Sequence, residues 1–218
     1  KNGSNESSTA WMSRYQVAGF DATAEQVAII DAAIAGESFA VPAFAGTSKT
    51  ATLNAIAQQQ PFKKTLYLAF NKAIAQEANA LFPNWVECRT AHSLAYRYVV
   101  QPSQAMMQKL RAGGGFIPFQ DIEAYAEKTS NWPTLGRSRF QINLAISETL
   151  SGFCNSADAE PDASHLSESL QDWLHSLKPN EQNAFLTPLL TSVRALAQAM
   201  FDENNPCAIT HDGYLKLF

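Results

Sequence analysis

The stretch Ala43-Phe44-Ala45-Gly46-Thr47-Ser48-Lys49-Thr50 decides the fold that this sequence predicts. Lys49 and Thr50 fit the end of the phosphate-binding loop pattern G-x-x-x-x-G-K-[ST], whereas Ala43 and Ser48 stand at its two glycines. In such a loop, backbone N–H groups and a helix N-terminus bind phosphate oxygens, while the lysine contacts the β- and γ-phosphates and the hydroxyl binds Mg²⁺. Glycine is favoured before the lysine where φ is positive or a Cβ would crowd the phosphate, so Ser48 is a departure that could weaken binding or turnover. The stretch predicts a nucleoside triphosphate site, and the alternative is an ordinary strand-to-helix turn.

The flanking sequence has the strand–loop–helix order that a phosphate-binding loop requires. The apolar run 38–44 predicts a strand that leads into the loop, and residues 50–59 predict the helix that follows it. Upstream, apolar residues at helical spacing predict a helix over 22–35. Thr23 fits its N-cap, and Gln26 fits the third position of a capping box.

Further strands and helices alternate up to residue 100. We predict strands over 64–70 and 86–89 and helices over 71–82 and 91–99, an order typical of a parallel sheet covered by helices. Past residue 101, helices are predicted over 122–128, 140–153, 166–177 and 181–201, without a convincing strand. The pattern therefore predicts an α/β domain with a parallel sheet, followed by a largely helical module from about residue 100 to 205.

Composition narrows the class of protein. The chain has 218 residues, of which 46% are hydrophobic and 17% charged, enough for a substantial core. The net charge of −4 requires any nucleic-acid site to use a local basic patch. Bases do outnumber acids between residues 61 and 111, although chance clustering on a solvated face is the alternative. Three widely spaced cysteines predict reduced thiols and a cytoplasmic setting, or a nucleoid or nuclear one. No apolar run approaches the roughly 18 residues that span a membrane, so no membrane partner is expected.

Four segments together resemble the N-terminal part of UvrD/Rep-like superfamily 1 DNA helicases, and the F-box DNA helicase branch most closely. Residues 20–26 (FDATAEQ) are similar to the family's Q motif, and residues 43–50 are similar to motif I, in which alanine is normal at the first position. Residues 68–75 (LAFNKAIA) resemble motif Ia, and residues 90–95 (TAHSLA) resemble motif Ib. Residues 209–217 look like the segment just before motif II.

The resemblance implies a role for each matching residue. It implies ATP and Mg²⁺ as cofactors, with Lys49 and Thr50 as catalytic residues and Thr50 as a Mg²⁺ ligand. Gln26 would recognise adenine, and the loop would hold the phosphates through Ala45, Gly46, Thr47, Ser48, Lys49 and Thr50. Single-stranded DNA would be the partner, contacted by Phe70, Asn71, Lys72, Thr90 and His92.

The resemblance also implies the fold and the domain organisation: an α/β, partial RecA-like P-loop NTPase domain with a parallel sheet, plus an inserted helical subdomain. A flexible tail is expected over 1–14, a partial RecA-like domain (1A) over 15–100, a helical 1B-like subdomain over 101–205, and a segment returning to 1A over 206–218. Asp202-Glu203 is the one candidate for the acidic pair of motif II, but it follows a helical pattern that ends at Asn204-Asn205-Pro206.

We therefore expect a fragment of a longer helicase that depends on the remaining helicase domains and hydrolyses little or no ATP by itself. One alternative is a non-catalytic nucleotide- or DNA-binding module derived from a helicase. Another is a P-loop kinase or other NTPase of a different class, without affinity for single-stranded DNA.

Overall fold

A computed structural model describes residues 14–44, 46–61, 63–127 and 135–218, and it divides the chain into two compact units. The first unit ends at Thr90, and the second runs from Ala91 to Phe218. Of the predicted tail, residues 1–13 lie outside the described residues.

The first unit combines a small hairpin with a β-α-β arrangement. The antiparallel hairpin turns at Ala18 and Gly19, which both have positive φ, as tight two-residue hairpin turns often require. The elements of this unit are β1 (Gln16–Val17), β2 (Phe20–Asp21), α1 (Ala24–Ala35), α2 (Lys49–Gln58), β3 (Thr65–Ala69), α3 (Lys72–Leu81) and β4 (Val86–Thr90).

Helix α1 begins with the predicted capping box. The Thr23 hydroxyl accepts the Gln26 N–H at 3.3 Å, and the Gln26 side-chain oxygen accepts the Thr23 N–H at 3.0 Å. These two bonds satisfy donors that a helix start otherwise leaves unpaired. The helix ends at Gly36, whose φ of 80° is the left-handed conformation that glycine adopts without strain.

Strands β3 and β4 are parallel and are joined by α3, which confirms the predicted strands over 64–70 and 86–89. Their register pairs Thr65 with Val86 and Ala69 with Thr90, so both strands end at the same edge. Beneath them, the buried side chains of Ala57, Ala78, Phe82, Val86 and Cys88 form one cluster.

The predicted strand over residues 38–44 is wrong. These residues adopt no regular secondary structure, and β3 and β4 pair only with each other among the described residues. A strand needs a neighbour for its backbone N–H and C=O groups, and an apolar run alone does not supply one. The α/β character is therefore limited to one two-stranded parallel unit in a mostly helical chain.

All regular elements among the described residues of the second unit are helical. The predicted helix over 91–99 is instead a short α-helix followed by a π-helical turn, Tyr96–Val100, and two helices near residues 104 and 211 were not predicted. A 3₁₀ turn spans Ala163–His165. The α-helices are α4 (Ala91–Ala95), α5 (Gln104–Gly113), α6 (Phe119–Glu127), α7 (Arg139–Cys154), α8 (Glu168–His175), α9 (Pro179–Phe201) and α10 (His211–Leu217).

Helix α9 forms the centre of this unit. Phe185, Leu189, Val193, Leu196 and Met200 are fully buried along one face, and the helix packs against α6, α7 and α10. By length and composition α9 could cross a membrane, and among the described residues it is the one helix that could. The expectation that no apolar segment reaches that length is therefore corrected, although this apolar face is the core of the unit.

Lys109 holds the end of α9 in place. It is only 4% exposed, and its ammonium donates to the carbonyl oxygens of Ala199, Asp202 and Asn205, each at 2.8 Å. Burial lowers the pKa of Lys109. Asp202 is the residue at which α9 ends, so Asp202-Glu203 follows a helix and not the strand that motif II requires.

The domain bounds expected from sequence stay a prediction. Helix α4 and the π-helical turn pack against α10 within the second unit. Residues 206–218 lie in the same unit.

Two buried thiols make the second unit sensitive to alkaline pH. Burial raises the pKa of Cys154 to about 12 and that of Cys207 to about 11, from an ordinary value of 9.0. The folded state then holds protons that the unfolded chain releases above pH 9, so the free energy of unfolding falls as pH rises through this window. We expect Cys207→Ala to reduce that decline by about 1 kcal/mol per pH unit between pH 9 and 11 in urea titrations. Below pH 8 the difference between variant and wild type should be constant, and parallel curves up to pH 11 would contradict the assignment.

Candidate nucleotide site

The loop before α2 has the backbone conformation that explains why glycine is usual at position 48. Gly46 has φ of 83°, and Ser48, the N-cap of α2, has φ of 55° and ψ of 30°. The left-handed region costs a residue with a Cβ about 1–2 kcal/mol. Ser48 therefore occupies a glycine conformation, and the departure seen in the sequence is a source of local strain.

The Lys49 side chain folds back over this loop. Its ammonium donates to the carbonyl oxygens of Ala43 at 3.1 Å and Phe44 at 2.7 Å. The Thr47 hydroxyl also donates to the Phe44 oxygen, at 2.8 Å. The positive charge is thus held at the loop by neutral acceptors, which an anionic phosphate can replace with stronger, charge-assisted hydrogen bonds.

A cavity of about 670 Å³ adjoins the loop, large enough for a nucleotide. The residues from Gly46 to Ala51 form one side of it. The first N–H groups of α2 have no acceptor within the helix, and the helix dipole adds partial positive charge at this end. With the Lys49 ammonium and the Thr50 hydroxyl, the donor set suits a phosphate chain with an associated Mg²⁺ ion.

Mg²⁺ would take most of its ligands from phosphate and water. Among the described residues, no group of three His, Cys, Asp or Glu side chains could hold a metal ion. Thr50 offers one hydroxyl oxygen, and Mg²⁺ commonly keeps several waters beside substrate phosphates.

The structure does not place two of the residues predicted to bind the nucleotide, Gln26 and Ala45, at this cavity. Gln26 is not among the described residues that line the cavity, and its amide group already has partners: Thr23 N–H on the oxygen and the Thr52 hydroxyl, 3.2 Å away, on the nitrogen. Ala45 lies outside the described residues.

Sequence reasoning missed the other side of the cavity. It is formed by the β1–β2 hairpin, through Gln16, Ala18 and Gly19, and by the later turns of α2, through Asn54, Ala55 and Gln58, with Leu81 beside them. The helical period places Asn54 and Gln58 one and two turns after Thr50, so α2 offered a usable signal. The short hairpin, with two residues per strand, offered a weak one.

The residues predicted to contact DNA in the first unit gather at the carboxyl edge of β3 and β4. Phe70 follows β3 and is 94% exposed, and Thr90 ends β4 opposite Ala69. The Asn71 side chain caps α3 by accepting the Ile74 N–H at 2.9 Å, and Lys72 opens that helix with an exposed side chain. One edge therefore presents an aromatic ring, a cation and a helix start.

His92 belongs to the second unit, where it has local partners. Its Nε2 lies 3.1 Å from a carboxylate oxygen of Asp212, and its ring meets Tyr214 edge to face. The other Asp212 oxygen accepts a hydrogen bond from the Asn155 amide at 3.3 Å. A role for His92 in contacting DNA stays a prediction.

This chain is distantly similar to F-box DNA helicases. It is 32% identical over 186 residues to F-box DNA helicase 1 of Gallus gallus, covering 84% of this chain and 18% of that protein. It is also 32% identical over 151 residues to F-box DNA helicase protein 1 of Schizosaccharomyces pombe, covering 67% of this chain and 17% of that protein. The chain thus spans less than a fifth of the length of either relative. No family model and no solved structure matches it.

Ser48 gives a direct test of the loop. We expect Ser48→Gly to raise the free energy of unfolding by about 1 kcal/mol in urea titrations, because glycine adopts positive φ without the cost of a Cβ. Ser48→Ala keeps the Cβ and serves as the control, with stability close to wild type. Equal stability of all three proteins would show that residue 48 carries no strain in the folded state.

Proposed function

We propose that this chain is a helicase-derived module that binds Mg-ATP and single-stranded DNA, as part of an ATP-dependent superfamily 1 DNA helicase or translocase. The observation that carries the proposal is the start of α2: Lys49 and Thr50 stand at a helix N-terminus that opens on a cavity of nucleotide size. The distant similarity to F-box DNA helicases supports the same function.

In this proposal each residue at the loop has one task. The N–H groups from Gly46 to Thr50 bind phosphate oxygens, and Lys49 exchanges its two carbonyl partners for the γ-phosphate. The Thr50 hydroxyl is a Mg²⁺ ligand. The triphosphate is thereby oriented and its charge neutralised, which is most of what a protein contributes to phosphoryl transfer.

The carboxyl edge of β3 and β4 is the proposed DNA contact in the first unit. An exposed aromatic ring stacks on bases of any sequence, and a cation beside it attracts the phosphate backbone. Phe70 and Lys72 supply these two groups within three residues of chain. Asn71 and Thr90 complete the edge, and His92 is proposed as a further contact from the second unit.

Turnover is proposed to need residues beyond those described. The acidic pair that positions the attacking water follows a strand in the resembling family, whereas Asp202-Glu203 follows α9. Preorganised charges on both sides of the phosphate supply most of the rate enhancement in such enzymes. We therefore propose nucleotide binding without appreciable hydrolysis by this chain alone, and partnership with the remaining helicase domains.

The lysine of the loop tests the nucleotide proposal. Lys49→Ala should weaken Mg-ATP binding at least tenfold in titrations with a fluorescent ATP analogue, because it removes the charged contact to the β- and γ-phosphates. Lys63→Ala removes an exposed lysine of the same unit that lies outside the loop, and it should bind as wild type. Equal losses in both variants would point to non-specific charge attraction.

Phe70 and Lys72 test the DNA proposal through different readouts. With a labelled oligonucleotide, Lys72→Ala should lower the slope of log affinity against log salt by about 0.7, because one phosphate contact is lost. Phe70→Ala should weaken binding by about 1–3 kcal/mol at every salt concentration, because stacking on a base is lost. Phe116→Ala, which removes a ring that is 73% exposed from the second unit, is the control. Absence of single-stranded DNA binding at low salt would favour a P-loop NTPase of another class.

A further inference from the structure

We propose that a second cavity binds an organic ammonium ion with an apolar body, such as an arylalkylamine or a lysine side chain. The cavity measures about 410 Å³ and lies within the second unit. It is enclosed by the turn that joins α5 to α6, the C-terminal half of α7 and the start of α10. This inference goes beyond the proposed nucleotide and DNA functions and depends on neither.

The wall of this cavity is mostly apolar. The apolar side chains that line it come from the α5–α6 turn, α6 and α7, and they are Phe116, Ile117, Phe119, Ile122 and Leu150. Phe116 is 73% exposed and Phe119 is 46% exposed, so two aromatic rings can be reached from solvent. Pockets of this kind take up the apolar body of a ligand, and aromatic faces also attract a cation.

Asp212 supplies the charge at this wall. Among the described residues that line the cavity, it is the only carboxylate, and there is no lysine or arginine. Its side chain is 37% exposed. One oxygen lies 3.1 Å from His92 Nε2, and the other accepts a hydrogen bond from the Asn155 amide at 3.3 Å. Because a carboxylate offers about four acceptor positions, each oxygen can accept a further N–H from a ligand.

The end of α7 adds negative potential beside Asp212. The last turn of this helix lines the cavity, and the carbonyl end of a helix carries partial negative charge. Burial and, to a smaller extent, the Asp212 charge raise the pKa of Cys154 to about 12, so the thiol stays neutral. The Lys216 ammonium opposes the effect of Asp212 on Cys154, but it donates to the carbonyl oxygens of Ser156 and Asp158 at 2.9 and 2.6 Å. The charge that faces the cavity is therefore negative.

The start of α10 does not offer an anion site instead. The His211 N–H donates to the Gly115 oxygen at 3.3 Å, and the Gly213 N–H donates to the Thr210 hydroxyl at 2.8 Å. The His211 ring is held as well, with Nδ1 3.1 Å from the Tyr214 hydroxyl. Since these groups have partners within the protein, an anion would gain few hydrogen bonds here, and the nearby carboxylate would repel it.

An NMR titration of the chain at about pH 7.5, a unit above the ordinary pKa of histidine, tests the inference. 2-Phenylethylamine should bind about tenfold more tightly than 2-phenylethanol, which has the same body without the charge, because the ammonium makes charge-assisted hydrogen bonds. Ethylamine, which lacks the apolar body, should bind about tenfold more weakly than 2-phenylethylamine. The backbone amides that shift should include those of Phe116, Ile117, Ser151 and Asp212.

Two variants separate the charge of Asp212 from its contacts. Asp212→Asn has nearly the same shape and should bind the amine no better than the alcohol. His92→Gln removes the imidazole that contacts Asp212 and leaves the carboxylate in place, so it should keep the full preference for the amine.

A blocked lysine peptide, compared with 2-phenylethylamine, identifies the source of the ammonium group. Tighter binding of the peptide assigns the cavity to a lysine of a partner protein, and weaker binding assigns it to a small amine. Both results require that binding be lost in Asp212→Asn.

Equal affinity of the wild-type chain for the amine and the alcohol would overturn the inference. An unchanged preference for the amine in Asp212→Asn would do the same, as would saturable shifts elsewhere with Phe116 and Asp212 unmoved. Should Asp212→Asn fail to fold, the comparison of amine and alcohol on the wild-type chain decides. The proposed nucleotide and DNA sites stand in each case, since none of the described residues proposed for them lines this cavity.

Discussion

The hydrogen bonds from the Lys49 ammonium to the carbonyl oxygens of Ala43 and Phe44 are the interaction on which the candidate nucleotide site depends. They join the segment before the loop to the first residue of α2, and Gly46 and Ser48 adopt positive φ between them. The same bonds keep a charge at a helix start, where backbone donors also face the cavity. Phosphate oxygens are stronger partners than neutral carbonyls, and the proposed binding of a nucleotide exchanges one for the other.

The two units differ in the size of their hydrophobic cores. The second unit has a continuous core around α9, and a buried lysine fastens the end of that helix through three carbonyl oxygens. The first unit has small clusters beneath two strands and beside α1, while Leu66, Leu68, Phe39 and Val41 stay partly exposed. A two-stranded sheet leaves both of its edges without partners, so this unit carries apolar surface that a larger sheet would cover.

Local patterns in the sequence predicted most helices and both parallel strands. The conformation of the run 38–44 and the contacts between elements depend on residues distant in sequence, so local patterns did not predict them. The capping box at Thr23 and Gln26 acts within one helical turn, so sequence alone revealed it. The run 38–44 has the composition of a strand but lacks a neighbour to pair with, which no local pattern records. The bond from the Gln26 amide nitrogen to Thr52 was not predicted, because it joins two helices. The position of Asn54 on the cavity follows from the helical period of α2, whereas its bond to the Leu81 carbonyl, 27 residues away, has no local signal.

The central claim is that the start of α2 binds a triphosphate, and amide NMR titration with Mg-ATP tests it most directly. The account predicts saturable shifts that are largest for the backbone amides from Gly46 to Ala51, with smaller shifts at Ala18, Gly19 and Asn54 on the far side of the cavity. Inorganic tripolyphosphate should reproduce the first set and leave the second unchanged. Saturable shifts elsewhere in the chain, with the amides from Gly46 to Ala51 unmoved, would contradict the account.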